Sequence, residues 1–196
     1  KKLLFVITED WFFVSHFLER AEAAINNGFE VAVATRVSKY EDLLRQKGID
    51  VYPIDFSRRG LNPLKELRTA LRVRHIIKQF HPNIVHNIAL KPVVTGTLGE
   101  RWAGCLNIVN APVGMGYVFT STDTKATLIR PIVKMMVKRL LNPPGSRVII
   151  ENPDDYDSLI SGGFVRSDSL TLIKGAGVNT NLFSATTEPE GPIVVV

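Results

Sequence analysis

Cysteine is nearly absent: Cys105 stands alone, so neither a disulfide framework nor a cysteine metal cluster can be built. No apolar run approaches the roughly 18 residues that a membrane-crossing helix needs. Lys1 and Lys2 resemble the start of a signal peptide, but the apolar run Leu3–Ile7 closes at once on Glu9 and Asp10. The simplest expectation is a cytoplasmic protein. A G-x-G-x-x-G fingerprint is missing after the first strand, where Thr8, Glu9, Asp10 and Trp11 stand instead, which disfavours a dinucleotide-binding dehydrogenase. Acidic residues are scarce in one region only. Residues 61–150 carry 13 basic and 3 acidic side chains, whereas residues 1–60 net zero and 151–196 net −5. That middle third should attract phosphates or acidic lipid headgroups. No arginine–aromatic interleaving accompanies the charge, so nucleic acid is not the expected partner.

The chain that remains alternates strands and helices over 196 residues, enough for one α/β domain or one plus the start of another. Leu3–Ile7 is continuously apolar, as a strand covered on both faces must be. Helical spacing runs from Val14 to Asn27, and Gly28 ends it. Glu30–Thr35 and Asp50–Ile54 are the next strands, with a helix at Tyr40–Gln46 between them. Asn62-Pro63 opens a long helix to Phe80, with Leu67, Ala70, Leu71, Val73 and Ile77 expected in the core and Arg68, Arg72 and Lys78 in water. Further strands fall at Asn83–Val85, Leu106–Val109, Arg147–Ile150 and Ser169–Ile173. Helices follow at Val93–Ala103, Ala126–Leu141 and Pro153–Ser161. Such alternation predicts a doubly wound, Rossmann-like, mostly parallel sheet with right-handed crossovers. Residues 1–183 would form this domain. Residues 184–196 read as a linker and the opening strand of a second domain, because Pro189, Gly191 and Pro192 break the chain before Ile193–Val196.

In such a sheet the first and fourth strands lie side by side, and ligands bind at their carboxyl ends. The loop Thr8–His16 brings Glu9, Asp10, Trp11 and His16 to that crevice, and the loop His86–Lys91 brings His86 and Lys91. Imidazoles there can bond hydroxyls or handle a proton, and a lysine can hold a phosphate. Glu9 and Asp10 can accept a proton, although Asp10 suits helix capping equally well. Gly114 and Gly116 let backbone approach a ligand. On the helix Ala126–Leu141, Arg130, Lys134 and Lys138 share one face, opposite Leu128, Ile132, Met135 and Met136. That face is a candidate contact for an acidic membrane; an ordinary core helix with a wet basic side is the plainer reading.

In order, the stretches Trp11–His16, His86–Pro92, Gly114–Phe119, Glu151–Asp155 and Ile173–Phe183 resemble the N-terminal half of a family 4 (group 1) glycosyltransferase. These are retaining enzymes of the two-Rossmann-domain GT-B type, and the resemblance is nearest to bacterial members that build lipid-linked polysaccharide. Two positions depart from it: Glu9-Asp10-Trp11 replaces a glycine pair, and Asn179 stands where aspartate is common. The resemblance implies an acceptor-binding domain, with a nucleotide-sugar, expected to be a UDP-sugar, held by the other domain. It implies transfer to a lipid-linked saccharide in cell-surface polysaccharide synthesis, without metal or resident cofactor, and peripheral attachment to the inner face of the cytoplasmic membrane. The catalytic groups would lie largely in the donor domain, with His16 and His86 the candidates on this side. This stretch alone would then be inactive in transfer. The rival readings are a membrane-surface binding module without catalysis and, more remotely, a dinucleotide-binding enzyme.

Overall fold

A computed structural model of the protein describes residues 1–56, 62–105, 107–113, 135, 138–175, 177, 180 and 191. In chain order the elements are β1 (Lys2–Glu9), α1 (Asp10–His16), α2 (Leu18–Asn26), β2 (Glu30–Arg36), α3 (Glu41–Gln46) and β3 (Ile49–Pro53). They continue as α4 (Pro63–Phe80), β4 (Ile84–Ile88), α5 (Leu90–Ala103), β5 (Ile108–Ala111), β6 (Arg147–Ile150), α6 (Pro153–Ser161) and β7 (Leu170–Leu172). The strands form one sheet in the order β3-β2-β1-β4-β5-β6-β7. Every pairing described is parallel. Strand order therefore reverses between β1 and β4, which is where a doubly wound sheet opens its crevice.

β1 alternates its side chains between two cores, as the period of a strand requires. Leu4 and Val6 face α4, packing with Val73, Ile76, Ile77 and Phe80. Phe5 and Ile7 face the other way, onto Phe13, Phe17, Ala21 and Leu44. Each buried Val, Leu, Ile or Phe among them contributes roughly 1.5–3 kcal/mol relative to exposure. A third cluster ties α5 and α6 to the far strands through Val93, Val148, Ile150 and Leu159.

Four expectations change. The stretch after β1 is no loop: β1 runs on to Glu9, and Asp10–His16 is already helical. The helical pattern breaks at Phe17, whose φ of −126° separates α1 from α2. His86 is no loop residue either. It sits mid-strand in β4, paired with Phe5 of β1, because Ile84 to Ile88 all join the ladder. On α4 the inward stripe is Thr69, Ala70, Val73, Ile76, Ile77 and Phe80, so Leu67 and Leu71 point outward rather than into the core. Thr69 can turn inward because its hydroxyl donates to the Lys65 carbonyl at 3.0 Å, which removes the cost of burying it. The start of α4 is as the sequence predicts, with Asn62 accepting from the Leu64 amide at 3.0 Å and Pro63 in the first turn. The expected linker and second-domain start at 184–196 lie outside the described residues, except Gly191.

Candidate functional site at the carboxyl edge of the sheet

The carboxyl ends of β1, β2 and β4 place Glu9, Arg36 and Ile88 along one edge. Buried Glu9 meets Arg36 Nη1 at 3.7 Å, and Arg36 reaches on to Asp55 at 3.6 Å and to the Phe56 carbonyl. Glu9 thus helps lock the ends of β1, β2 and the stretch after β3 together.

Asp10 is wholly buried. Its Oδ2 accepts from the amides of Ser38, Lys39 and Tyr40 at 2.7, 3.0 and 3.0 Å. Its Oδ1 accepts from the Ser38 hydroxyl at 2.5 Å and the Trp11 amide at 2.7 Å. Burial alone would raise its pKa, but the Ser38 hydroxyl and the three loop amides together outweigh that and hold it at about 2. Asp10 is therefore a permanent anion fastening the 38–40 turn to α1, and a poor proton acceptor. Nor does it cap its own helix: Glu9 holds the N-cap position of α1, and Asp10 binds the turn that leads into α3 instead.

Trp11 is half-exposed on α1, edge-on to Phe12. His16 ends α1 in the open, with Nδ1 2.6 Å from the Ser15 hydroxyl and its ring 4.6 Å from Phe12. A chain of rings leads inward from it: Phe12 to Phe17 at 6.0 Å, then Phe17 to His86 at 6.2 Å. His86 packs against Phe5 as well, at 5.4 Å. Its Nε2 is enclosed, with no hydrogen-bond partner among the described residues. Burial, helped by the positive charge of Arg20, pushes its pKa down to about 4. At neutral pH His86 is a neutral imidazole, able to donate or accept one bond but carrying no charge. The two histidines are thus linked through Phe12 and Phe17 rather than by contact with each other.

Lys91 lies one residue inside α5 and pairs with Glu66 of α4 at 3.0 Å, both about one-fifth exposed. Its ammonium sits at the crevice with part of its charge already answered. Just before it, Ala89 has φ of 77° and ψ of 159°, a conformation that costs a non-glycine residue about 1–3 kcal/mol. Two contacts hold it there: its amide donates to the Ala111 carbonyl at 2.9 Å, and its carbonyl receives Val93 N–H at 3.1 Å. The turn from β4 into α5 is therefore fixed at the place where His86 and Lys91 diverge. Gly114, Gly116, Arg130 and Lys134 lie outside the described residues; Lys138 is exposed on a short helical stretch.

A cluster that sequence reasoning missed lies on the opposite face of β4. Asn87 Nδ2 donates to Asn110 Oδ1 at 2.9 Å, and the Thr97 hydroxyl donates to the same oxygen at 3.3 Å. Glu100 of α5 is wholly enclosed beside Asn87. Burial pushes its pKa up to about 8, the smaller pull of the Asn87 amide opposing. A protonated Glu100 has an O–H to donate, and Asn87 Oδ1 otherwise has no partner among the described residues. Two asparagines interrupting apolar strands were visible in the sequence; the register that sets Asn87 beside Asn110 was not. A concavity of about 300 Å³, lined by Ile77, Lys78, His81, Pro82, Ala103, Gly104 and Cys105, lies where α4 and α5 end, away from the strand ends described above.

The fold is shared with solved GT-B glycosyltransferases. A Rickettsia africae glycosyltransferase superposes with a TM-score of 0.61 at 19% identity, over 93% of this chain and 45% of that one. An Anabaena HepE protein in complex with UDP and glucose gives 0.62 at 16% identity, over 94% and 47%. In sequence, the Glycosyl transferase 4-like family profile matches residues 2–143. The chain belongs to that family, as an N-terminal family 4 domain. A curated relative is 25% identical over 154 residues: the N,N'-diacetylbacillosaminyl-diphospho-undecaprenol alpha-1,3-N-acetylgalactosaminyltransferase of Campylobacter jejuni. The match covers 79% of this chain and 40% of that protein, so the chain spans well under half of its relative's length.

Proposed function

We propose that this chain is the acceptor-side domain of a retaining glycosyltransferase that moves a sugar from a UDP-sugar to a saccharide carried on a polyprenyl diphosphate. One observation carries the reading: the family match over residues 2–143, joined to a relative named for a diphospho-undecaprenol acceptor. The crevice chemistry agrees with it. Neutral His86 and exposed His16 offer bonds to sugar hydroxyls, and Lys91 offers one to a phosphate. The net +10 of residues 61–150 draws the diphosphate inward. Negative charge developing on the departing nucleotide would be met by basic side chains and a helix N-terminus, with no metal required. Transfer needs the donor held against the acceptor, so this stretch by itself binds without turning over. The protein would work on the cytoplasmic side of the membrane that carries its acceptor. No helix among the described residues is long and apolar enough to cross that membrane.

The test is a titration of the chain with a short-chain polyprenyl-diphosphate saccharide, followed by isothermal calorimetry. Lys91→Ala and His86→Ala should each weaken binding about tenfold, equal to about 1.4 kcal/mol, with the circular dichroism spectrum unchanged. Unaltered affinity in both variants sinks the crevice as the acceptor site. Micromolar binding of a UDP-sugar to the chain alone would overturn the division of labour between the domains.

A further inference from the structure

α1 ends on three residues that hold one another. The Ser15 hydroxyl donates to the Phe12 carbonyl at 3.2 Å, and the same oxygen lies 2.6 Å from His16 Nδ1. The Phe12 ring packs on the imidazole, with centroids 4.6 Å apart and planes at 48°. Phe12 and His16 stand four apart and are natural neighbours on a helix. Ser15 and His16 are not, since adjacent helical side chains do not face each other. Their short contact is therefore a specific arrangement of this helix end. A hydroxyl has one proton to give. Here the Phe12 carbonyl, which can only accept, takes it, as serines on helices commonly bond back to the preceding turn. Were that proton turned onto Nδ1, the carbonyl would face a hydroxyl lone pair at 3.2 Å. The three groups are all satisfied only if Nδ1 carries a hydrogen and donates it to Ser15 Oγ. In a neutral imidazole the other nitrogen is then bare. His16 is exposed, and its ring makes no second hydrogen bond among the described residues.

We propose that Ser15 is a positioning residue: it fixes His16 as the Nδ1–H tautomer, so that Nε2 presents a lone pair to a hydroxyl of the acceptor saccharide. That the hydroxyl belongs to an acceptor saccharide rests on the function proposed above; the tautomer does not. The chemistry defines what the position takes. A bare Nε2 bonds an O–H or N–H group and gains nothing from a phosphate or carboxylate oxygen, which only accepts. A histidine side chain in water favours the opposite tautomer, with its hydrogen on Nε2. Without Ser15 the ring would therefore turn a donor outward, and a sugar hydroxyl would have to reverse its own bonding to meet it.

The experiment reads the tautomer directly. Long-range proton–nitrogen NMR correlation of the histidine-labelled chain, at about pH 8 where an ordinary imidazole is neutral, separates a protonated ring nitrogen from a bare one. The signals lost in His16→Gln identify the ring. Wild type should show Nδ1 protonated and Nε2 bare. Ser15→Ala should move most of the population to Nε2–H, and Ser15→Thr, which keeps the hydroxyl, should retain the wild-type pattern. Ser15 is exposed, so both variants should keep the wild-type urea midpoint. A wild-type ring protonated at Nε2 overturns the proposal, as does a Ser15→Ala spectrum unchanged from wild type. The second arm is the calorimetric titration with a short-chain polyprenyl-diphosphate saccharide. Ser15→Ala should weaken that binding about fivefold, the worth of one hydrogen bond, and Ser15→Thr should bind as wild type does. Equal affinity of Ser15→Ala and wild type overturns the assignment of Nε2 to an acceptor hydroxyl. A wild-type chain that binds no saccharide counts against the acceptor-side reading instead, and the tautomer then stands or falls on its spectrum.

Discussion

Asp10 and Glu100 are both carboxylic acids shut away from solvent, one at the carboxyl end of β1 and one on α5, and they hold their protons in opposite ways. Asp10 is an anion down to about pH 2, while Glu100 keeps its proton up to about pH 8. Burial pushes both in the same direction, so burial cannot explain the difference. Donors can. Asp10 receives four amide hydrogens and a hydroxyl, enough to replace its lost hydration. Neither carboxyl oxygen of Glu100 has a hydrogen-bond partner among the described residues, and the nearby Asn87 amide offsets burial only in small part. One region stores a charge as a clamp on a turn, and the other has discarded a charge to close a core between helix and sheet.

The largest effect comes from breaking the clamp. Asp10→Ala leaves the Ser38, Lys39 and Tyr40 amides without their acceptor and should lower stability by about 4 kcal/mol in urea unfolding at pH 7. In the wild type this contribution is complete above the unfolded carboxyl's 3.8 and fades as pH falls toward 2. Glu100 behaves with the opposite sign. Its folded value stands above the unfolded 4.5, so the folded state is favoured most below 4.5 and loses ground as pH rises toward 8. At about 1.4 kcal/mol per unit, the slope amounts to about 3 kcal/mol between pH 5 and pH 7. Glu100→Gln should flatten it, which paired urea curves at the two pH values would reveal. A Gln variant with the wild-type slope would show that Glu100 is ionised after all. The smallest effect sharpens the comparison from the neighbouring residue. A Cβ on Gly96 would stand 2.3 Å from Asn87 Oδ1, so Gly96→Ala must push Asn87 away from Glu100 and Asn110. A loss of about 2 kcal/mol in thermal or urea unfolding is expected.

What the sequence made legible follows a physical divide. Local signals held: the apolar run of β1, the Asn62-Pro63 start of α4 and the Gly28 stop are written in adjacent residues. Long-range pairings were not. His86 reads as a loop residue until its partner Phe5 on β1 is known, and Asn87 looks like an interruption until Asn110 lies beside it. On α4 the expected stripe mixed two faces, and the packing of β1 and of α5, whose Gly99 comes so near that a Cβ would stand 2.5 Å from the Ala70 carbonyl, decides which side chains turn in. The same limit applies to the crevice. Sequence topology brought Glu9, Asp10, His86 and Lys91 to one region, but four of Asp10's five donors and Lys91's pairing with Glu66 come from segments distant in the chain.

The central strand carries a consequence for how the protein is made. Leu4 pairs with Ala32 on one side and with Val85 on the other. The first partnership closes early in the chain, whereas the second must wait for α4 and β4. During synthesis, β1, β2 and β3 can assemble while residues 54–88 are still to come. A ribosome adding about 5–20 residues per second leaves the far side of β1 uncovered for roughly 2–7 s. Through that interval the nascent chain presents an unpaired apolar edge running from Leu3 to Val6, a template for any neighbouring strand. Co-translational chaperone demand should therefore peak before β4 emerges, and fall once it docks.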